Sequence, residues 1–206
     1  MTERPIIFSA PMVIALREGR KTQTRPIVKS QPDTEDVRFE PAFREWYCEG
    51  GVWHKQCQYG VPGDRLWVRE TFYHDPEDRV LLYRADGGMD VEMFDAGCKW
   101  QPSIFMPRAR SRITLEITGV RVERLQDISN EDAEAEGIEV PRCPKCSYTY
   151  QDCLRHMDHN LCGEEAPASA VYAYSLLWDS LNAKRAPWAS NPWVWVLSFN
   201  VVKGKP

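Results

Sequence analysis

The chain has 206 residues, 43% of them apolar and 27% charged, and a formal net charge of -4. That length supports one domain, or one domain carrying a small insertion, and the apolar share is enough to build a core. The acidic balance excludes a broadly basic nucleic-acid binder, so any contact with nucleic acid has to be local.

The N-terminal stretch MTERPIIFSAPMVIALREGRKT has no basic leader followed by an apolar run and a small-residue cleavage site. No apolar run approaches the roughly 20 residues of a bilayer span. The expectation is a cytoplasmic chain with no membrane partner. Ile6 to Ser9 reads as a short strand and Pro11 to Arg17 as a short helix. Ser9 is placed to cap that helix, Pro11 is tolerated in its first turn, and Gly19 can stop it in the left-handed conformation. Residues 30–58 are polar and without a clear period, with Pro32 and Pro41 breaking any long helix, and read as a surface insertion.

In "YGVPGDRLWVRETFY" a turn at Pro62 to Asp64 leads into a strand, where Leu66, Val68 and Glu70 alternate with Trp67, Arg69 and Thr71. "RVLLYRAD" is a further strand. "SRITLEITGVRVERLQDI" follows, with Ile113, Leu115 and Ile117 alternating with polar residues and Gly119 marking a bulge or bend. "DISNEDAEAEGI" predicts a short acidic helix that starts at Ser129 and stops at Gly137. Residues 171–182 carry Val171, Tyr174, Leu177, Trp178 and Leu181 on one helical stripe, and "NPWVWVLSFNVV" is a last strand. Short β-rich segments with few helices predict an α+β domain over residues 1–206, built as a small mixed β-barrel with short peripheral helices.

Two stretches carry chemistry. "EGRKTQTRP" places Arg20, Lys21 and Arg25 within six residues, interleaved with Thr22, Gln23 and Thr24. Clustered cations repel, so an anionic or polar group is expected beside them. The second stretch, "CPKCSYTYQDCLRHMDHNLC", sets Cys143 and Cys146 two residues apart, the turn geometry in which both thiolates grip one Zn²⁺. Cys153, His156, His159 and Cys162 follow. Cys143, Cys146, Cys153 and Cys162 form the expected structural Zn²⁺ site within an insertion at 139–168, with His159 in place of Cys153 as the alternative. So polar a segment cannot fold without a staple, and four filled positions leave no catalytic metal.

The order of a strand, a short helix, Gly-Arg-Lys-Thr-x-Thr-Arg, a Pro-Gly-Asp turn entering a strand, "EDAEAEG" and a closing strand resembles the ASCH domain family. That family has a PUA-like β-barrel fold, and the resemblance covers residues 5–26, 60–71, 112–137 and 190–202. Within the family it is similar to the bacterial N(4)-acetylcytidine amidohydrolases and to phage and prophage proteins. The resemblance implies a hydrolase that removes an acyl group from the exocyclic amine of a cytidine-type nucleoside or base, with Lys21, Thr24 and Glu136 as its functional residues. Arg20, Thr22, Arg25, Glu70 and Trp67 are the candidates for substrate binding, and a nucleoside or RNA is the expected ligand.

Amide hydrolysis needs a nucleophile, a base and donors for the oxyanion. Thr24 is assigned as nucleophile, Lys21 as its base, and Glu136 as the group that orients Lys21 and passes a proton to the leaving amine. In the reverse arrangement Glu136 activates water and Lys21 steadies the oxyanion. Residues 21 and 24 of a straight strand point to opposite faces, so either scheme requires a bend at Thr22 and Gln23. Competing readings make the cations an anion-binding collar, Glu136 part of a solvated helix face, Glu70 half of an ion pair and the tryptophans core. On these readings the chain is an RNA-binding module, or a ribonuclease using the same loop.

Overall fold

A computed structural model describes residues 1–75, 80–87, 97–139 and 169–202, and shows a mixed α+β chain in which strands dominate. Its strands are β1 (Glu3–Ile7), β2 (Gln23–Thr24), β3 (Val37–Glu40), β4 (Glu45–Cys48), β5 (His54–Lys55), β6 (Arg65–Arg69), β7 (Phe72–Asp75), β8 (Val80–Tyr83), β9 (Thr114–Arg124) and β10 (Trp193–Val202). The helices are α1 (Ala10–Arg17), α2 (Asn130–Ala135) and α3 (Ala170–Asn182). The main sheet runs β1-β6-β9-β10-β2, with β1 parallel to β6 and every other pair antiparallel.

Among the described residues this sheet is open and the expected closed barrel is not formed. Its edges are β1, which has a proline at its centre, and β2, which is two residues long. Neither offers the run of unpaired backbone that closure would require.

Strand β10 organises the interior. Its run Trp-Val-Trp-Val-Leu is apolar at every position, the pattern of a strand buried on both faces. Trp193, Trp195, Leu197 and Phe199 pack into a core with Ile6, Leu66 and Leu115. Val194 and Val196 pack on the opposite side against Leu125, Ala133, Tyr174 and Trp178. The expected bulge in β9 is present: Ser198 pairs with Gly119 but Phe199 pairs with Ile117, leaving Thr118 over. That extra residue shifts the alternation by one, so Val120 and Val122 pack against the same core as Leu115 and Ile117.

Residues 30–58 are more than a surface excursion. β3, β4 and β5 form an antiparallel sheet in that order, and Trp46, Cys48, Trp53 and Cys57 are buried in the main core. Trp46 meets Trp195 edge-on, with ring centroids 5.0 Å apart. Isolated aromatics on such short strands leave no period to read.

The Pro-Gly-Asp turn ties the N-terminus to β6. Gly63 has φ of +89°, and its N–H donates to the Ile117 carbonyl. The Asp64 carboxylate accepts from the Thr2 amide at 2.8 Å and from Arg4 at 3.1 Å. Burial opposes its ionisation, but bonds from Thr2, Arg4 and the Val61 amide outweigh it and hold the Asp64 carboxyl down at about 2. A carboxyl held below its unfolded value stabilises the fold above that value, and the contribution disappears as pH falls towards the folded one. Asp64→Asn is therefore expected to be less stable than the parent at pH 7. In denaturant titrations the difference should shrink between pH about 4 and about 2, and a difference independent of pH would contradict this account of the turn.

Candidate active site

Helix α1 ends in a Schellman turn. Gly19 has φ of +75°, its N–H donates to the Leu16 carbonyl, and the Arg20 N–H donates to Ala15 at 2.9 Å. The Lys21 N–H reaches the same Ala15 carbonyl, so the turn aims this residue inward. Helix α2 begins where Ser129 Oγ accepts from the Asp132 N–H at 3.1 Å, and it stops at Gly137, φ +89°. The two ends meet. Lys21 and Glu136 form a β-bridge, the Thr22 N–H donates to the Ala135 carbonyl at 2.7 Å, and the Thr22 carbonyl accepts from Phe199 of β10 at 2.9 Å. A Cβ on residue 137 would lie 2.8 Å from Ala15 Cβ and 3.1 Å from Lys21 Cβ, so only glycine permits this approach.

The anionic group expected beside the cationic loop belongs to the protein itself. Lys21 Nζ lies 2.6 Å from Glu136 Oε2 and 3.0 Å from the Glu136 carbonyl, with no side-chain exposure. Arg25, equally buried, donates to Glu136 Oε1 at 3.3 Å, to Asp132 at 2.7 Å and to Glu123 at 3.2 Å. Arg121 closes the circuit with Glu123 and Asp132. Lys21, Arg25 and Arg121 thus balance Glu123, Asp132 and Glu136, as burial of charge requires. Asp132 and Glu136 are four residues apart on one face of α2, so this face is not the solvated one; Glu131 and Glu134 are exposed. Tyr174, on α3, donates its hydroxyl to Glu136 Oε1 at 3.5 Å. Burial, reinforced by the Glu136 charge, raises the Tyr174 phenol well above its ordinary value and keeps it a donor.

Beside this network lies a cavity of about 350 Å³, with Phe8, Thr24, Arg25, Glu136, Tyr174 and Trp178 among its walls. Thr24 and Glu136 therefore share one space, while Lys21 stands behind Glu136. Lys21 and Thr24 are both buried and Thr22 is exposed, the pattern given by a bend between them rather than a straight strand.

No family model, no curated protein and no solved structure matches the chain.

The other predicted binding residues lie elsewhere. Arg20 braces the site from outside, donating to the Gly137 carbonyl at 2.8 Å and to Glu18. Trp67 is not a wall of this cavity; its ring carries the Arg69 guanidinium 5.2 Å from the centroid. Glu70 is buried and paired in bidentate fashion with Arg112, at 2.8 and 2.9 Å, and neither Arg25 nor Lys21 is its partner. Arg112 also pairs with Asp86 and covers Tyr83, so Glu70 belongs to a structural ion cluster. Cys143, Cys146, Cys153, Cys162 and the two intervening histidines lie outside the described residues. Among the described residues no group of histidine, cysteine and carboxylate side chains is arranged to hold a metal.

Sequence reasoning placed Tyr174 and Trp178 on the core stripe of their helix, held Trp178 only as one of several tryptophans able to stack a base, and missed that Tyr174 also faces the cavity. Tyr59 and Arg69 were missed as cavity walls. A helical stripe shows which face is inward, but not whether the side chain ends at a neighbour or at a space.

Lys21→Met is expected to destabilise the chain by about 3 kcal/mol, because the variant keeps a buried carboxylate and removes a partner. Lys21→Met with Glu136→Gln should recover part of that loss. Unfolding free energies of the two singles and the double test this, and strict additivity would show that the pair is not coupled.

Proposed function

We propose that the chain is an ASCH-type amidohydrolase, with a PUA-like architecture, that removes an acyl group from the exocyclic amine of a cytidine-type nucleoside or base. One observation carries the reading: Thr24 and Glu136 are walls of the same cavity of about 350 Å³, and the Glu136 carboxylate is held 2.6 Å from the buried Lys21. Phe8, Tyr59 and Trp178 supply aromatic wall against which a base can stack. In the proposed reaction Thr24 Oγ attacks the acyl carbon and its proton passes to the Lys21–Glu136 pair. The tetrahedral intermediate collapses as the pair returns that proton to the exocyclic nitrogen, which leaves as the amine. Water then hydrolyses the Thr24 ester. Because Glu136 forms the wall and Lys21 stands behind it, Glu136 exchanges protons with the cavity while Lys21 fixes its orientation. Tyr174 is a further donor on the same wall, and Arg25 holds the Glu136 carboxylate from within the protein.

The basic loop offers less support to the alternative readings, an RNA-binding module or a ribonuclease. Backbone binding draws its energy from neutralised phosphates, and Lys21 and Arg25 are already neutralised by internal carboxylates.

Incubation with N(4)-acetylcytidine should release acetate and cytidine. Thr24→Val and Glu136→Gln should each lower kcat by about 100-fold or more, with intact folding checked by thermal melts. Product formation unchanged in Thr24→Val would remove the nucleophile from the scheme, and cleavage of single-stranded RNA would favour the ribonuclease.

A structural Zn²⁺ on Cys143, Cys146, Cys153 and Cys162 belongs to the same proposal and rests on their spacing. Elemental analysis of the purified protein should find about one zinc per chain, reduced in Cys143→Ser; a metal-free parent protein would end that assignment.

A further inference from the structure

The cavity continues into a wider groove of about 970 Å³. Ile7, Arg25, Pro26, Tyr59 and Asn182 are walls of both, so the two spaces adjoin. The groove is charged differently from the catalytic pocket. Lys29, Arg124 and Arg185 line it, and no aspartate or glutamate does so among the described residues. Lys29 and Arg185 are exposed and make no ion pair among the described residues, in contrast to the neutralised cations of the motif loop. Arg124 is held in place, with its guanidinium 4.6 Å from the Trp193 ring centroid, one nitrogen on the Asn191 carbonyl and a salt bridge to exposed Glu35.

The volumes separate the roles. A cavity of about 350 Å³ is at the small end of ligand pockets and accommodates a base with its sugar. The groove has room for more, and its cations mark that further part of the ligand as anionic. We propose that the substrate is a nucleotide rather than a free nucleoside: the acylated base occupies the inner cavity, and its phosphate ester lies in the groove on Lys29 and Arg185, beside Arg124. This inference rests on the amidohydrolase reading for the identity of the base. The phosphate site itself rests on the groove. A free nucleotide and a strand of single-stranded RNA present the same phosphate ester, and the test separates them.

Equilibrium binding of cytidine, cytidine 5′-monophosphate and a five-residue cytidine oligoribonucleotide is measured at low and at high salt. Each is measured with the parent protein and with Lys29→Gln/Arg185→Gln. The monophosphate is expected to bind about tenfold more tightly than cytidine, the gain of a charge-assisted contact. That ratio should fall with added salt and approach one in the double variant. A further gain for the oligonucleotide identifies a strand as the substrate, and no further gain identifies the free nucleotide. Equal affinity for cytidine and its monophosphate, no binding of the monophosphate, or a ratio unchanged in the double variant overturns the proposal. Binding is read without turnover, so a failure to hydrolyse N(4)-acetylcytidine together with a retained phosphate preference would remove the activity and leave the nucleotide site standing.

Discussion

A buried ammonium held 2.6 Å from a buried carboxylate constrains everything around it. Either charge alone in that position would cost several kcal/mol, so Lys21 and Glu136 have to arrive together. Their meeting fixes how closely the end of α2 approaches the end of α1. Gly137 follows from that, because any Cβ there would collide with Ala15 and Lys21. The arginine at position 25 extends the same logic to Asp132 and Glu123. Two of the three basic side chains in a short loop, Lys21 and Arg25, thereby become the electrostatic complement of the acids of α2 and its C-terminal end, while Arg20 pairs with Glu18.

The sheet carries this arrangement to the cavity. Strand β10 is buried on both faces, with one core beneath its tryptophans and another beneath Val194 and Val196. β2 pairs with it at Thr24 and Leu197, and the Thr22 carbonyl accepts from Phe199. The motif loop is thus fastened on one side to the most enclosed strand of the molecule and on the other to α2. Rigid support on both sides is what a reacting group needs if its position is to hold within a fraction of an ångström. α3 completes the wall, since Tyr174 and Trp178 reach from the second core to the cavity surface.

The separation of charge gives the proposed chemistry its division of labour. Around Glu136 the cations Lys21 and Arg25 are matched by carboxylates, and Arg69, a further wall of that cavity, is held by the Met106 carbonyl and the Trp67 ring. The unmatched cations, Lys29 and Arg185, lie in the adjoining groove, where a phosphate can be met without disturbing the buried network. The overall acidity of the chain is compatible with this because a local group of cations can attract an anion whatever the net charge.

The elements with strong periodicity were legible from the amino-acid order alone. The alternation of Leu66, Val68 and Glu70 with Trp67, Arg69 and Thr71 was readable, though not which of the two faces turns inward, while Gly119 marks the bulge, Ser129 caps α2, and Tyr174 and Trp178 face inward from α3. Local rules suffice there, because each depends on neighbours within a few residues. That Glu70 would need an ion-pair partner if buried was legible, but its burial and its partner Arg112 were not, and the strands within 30–58 were too short to show a period. The open sheet in place of a closed barrel also depended on pairing between distant segments. Above all, Lys21 and Glu136 are 115 positions apart. Composition and spacing determined that cations gather in one loop and acids on one helix; only the folded chain decided that they neutralise each other, because Coulomb attraction depends on distance in space and leaves no periodic trace along the sequence.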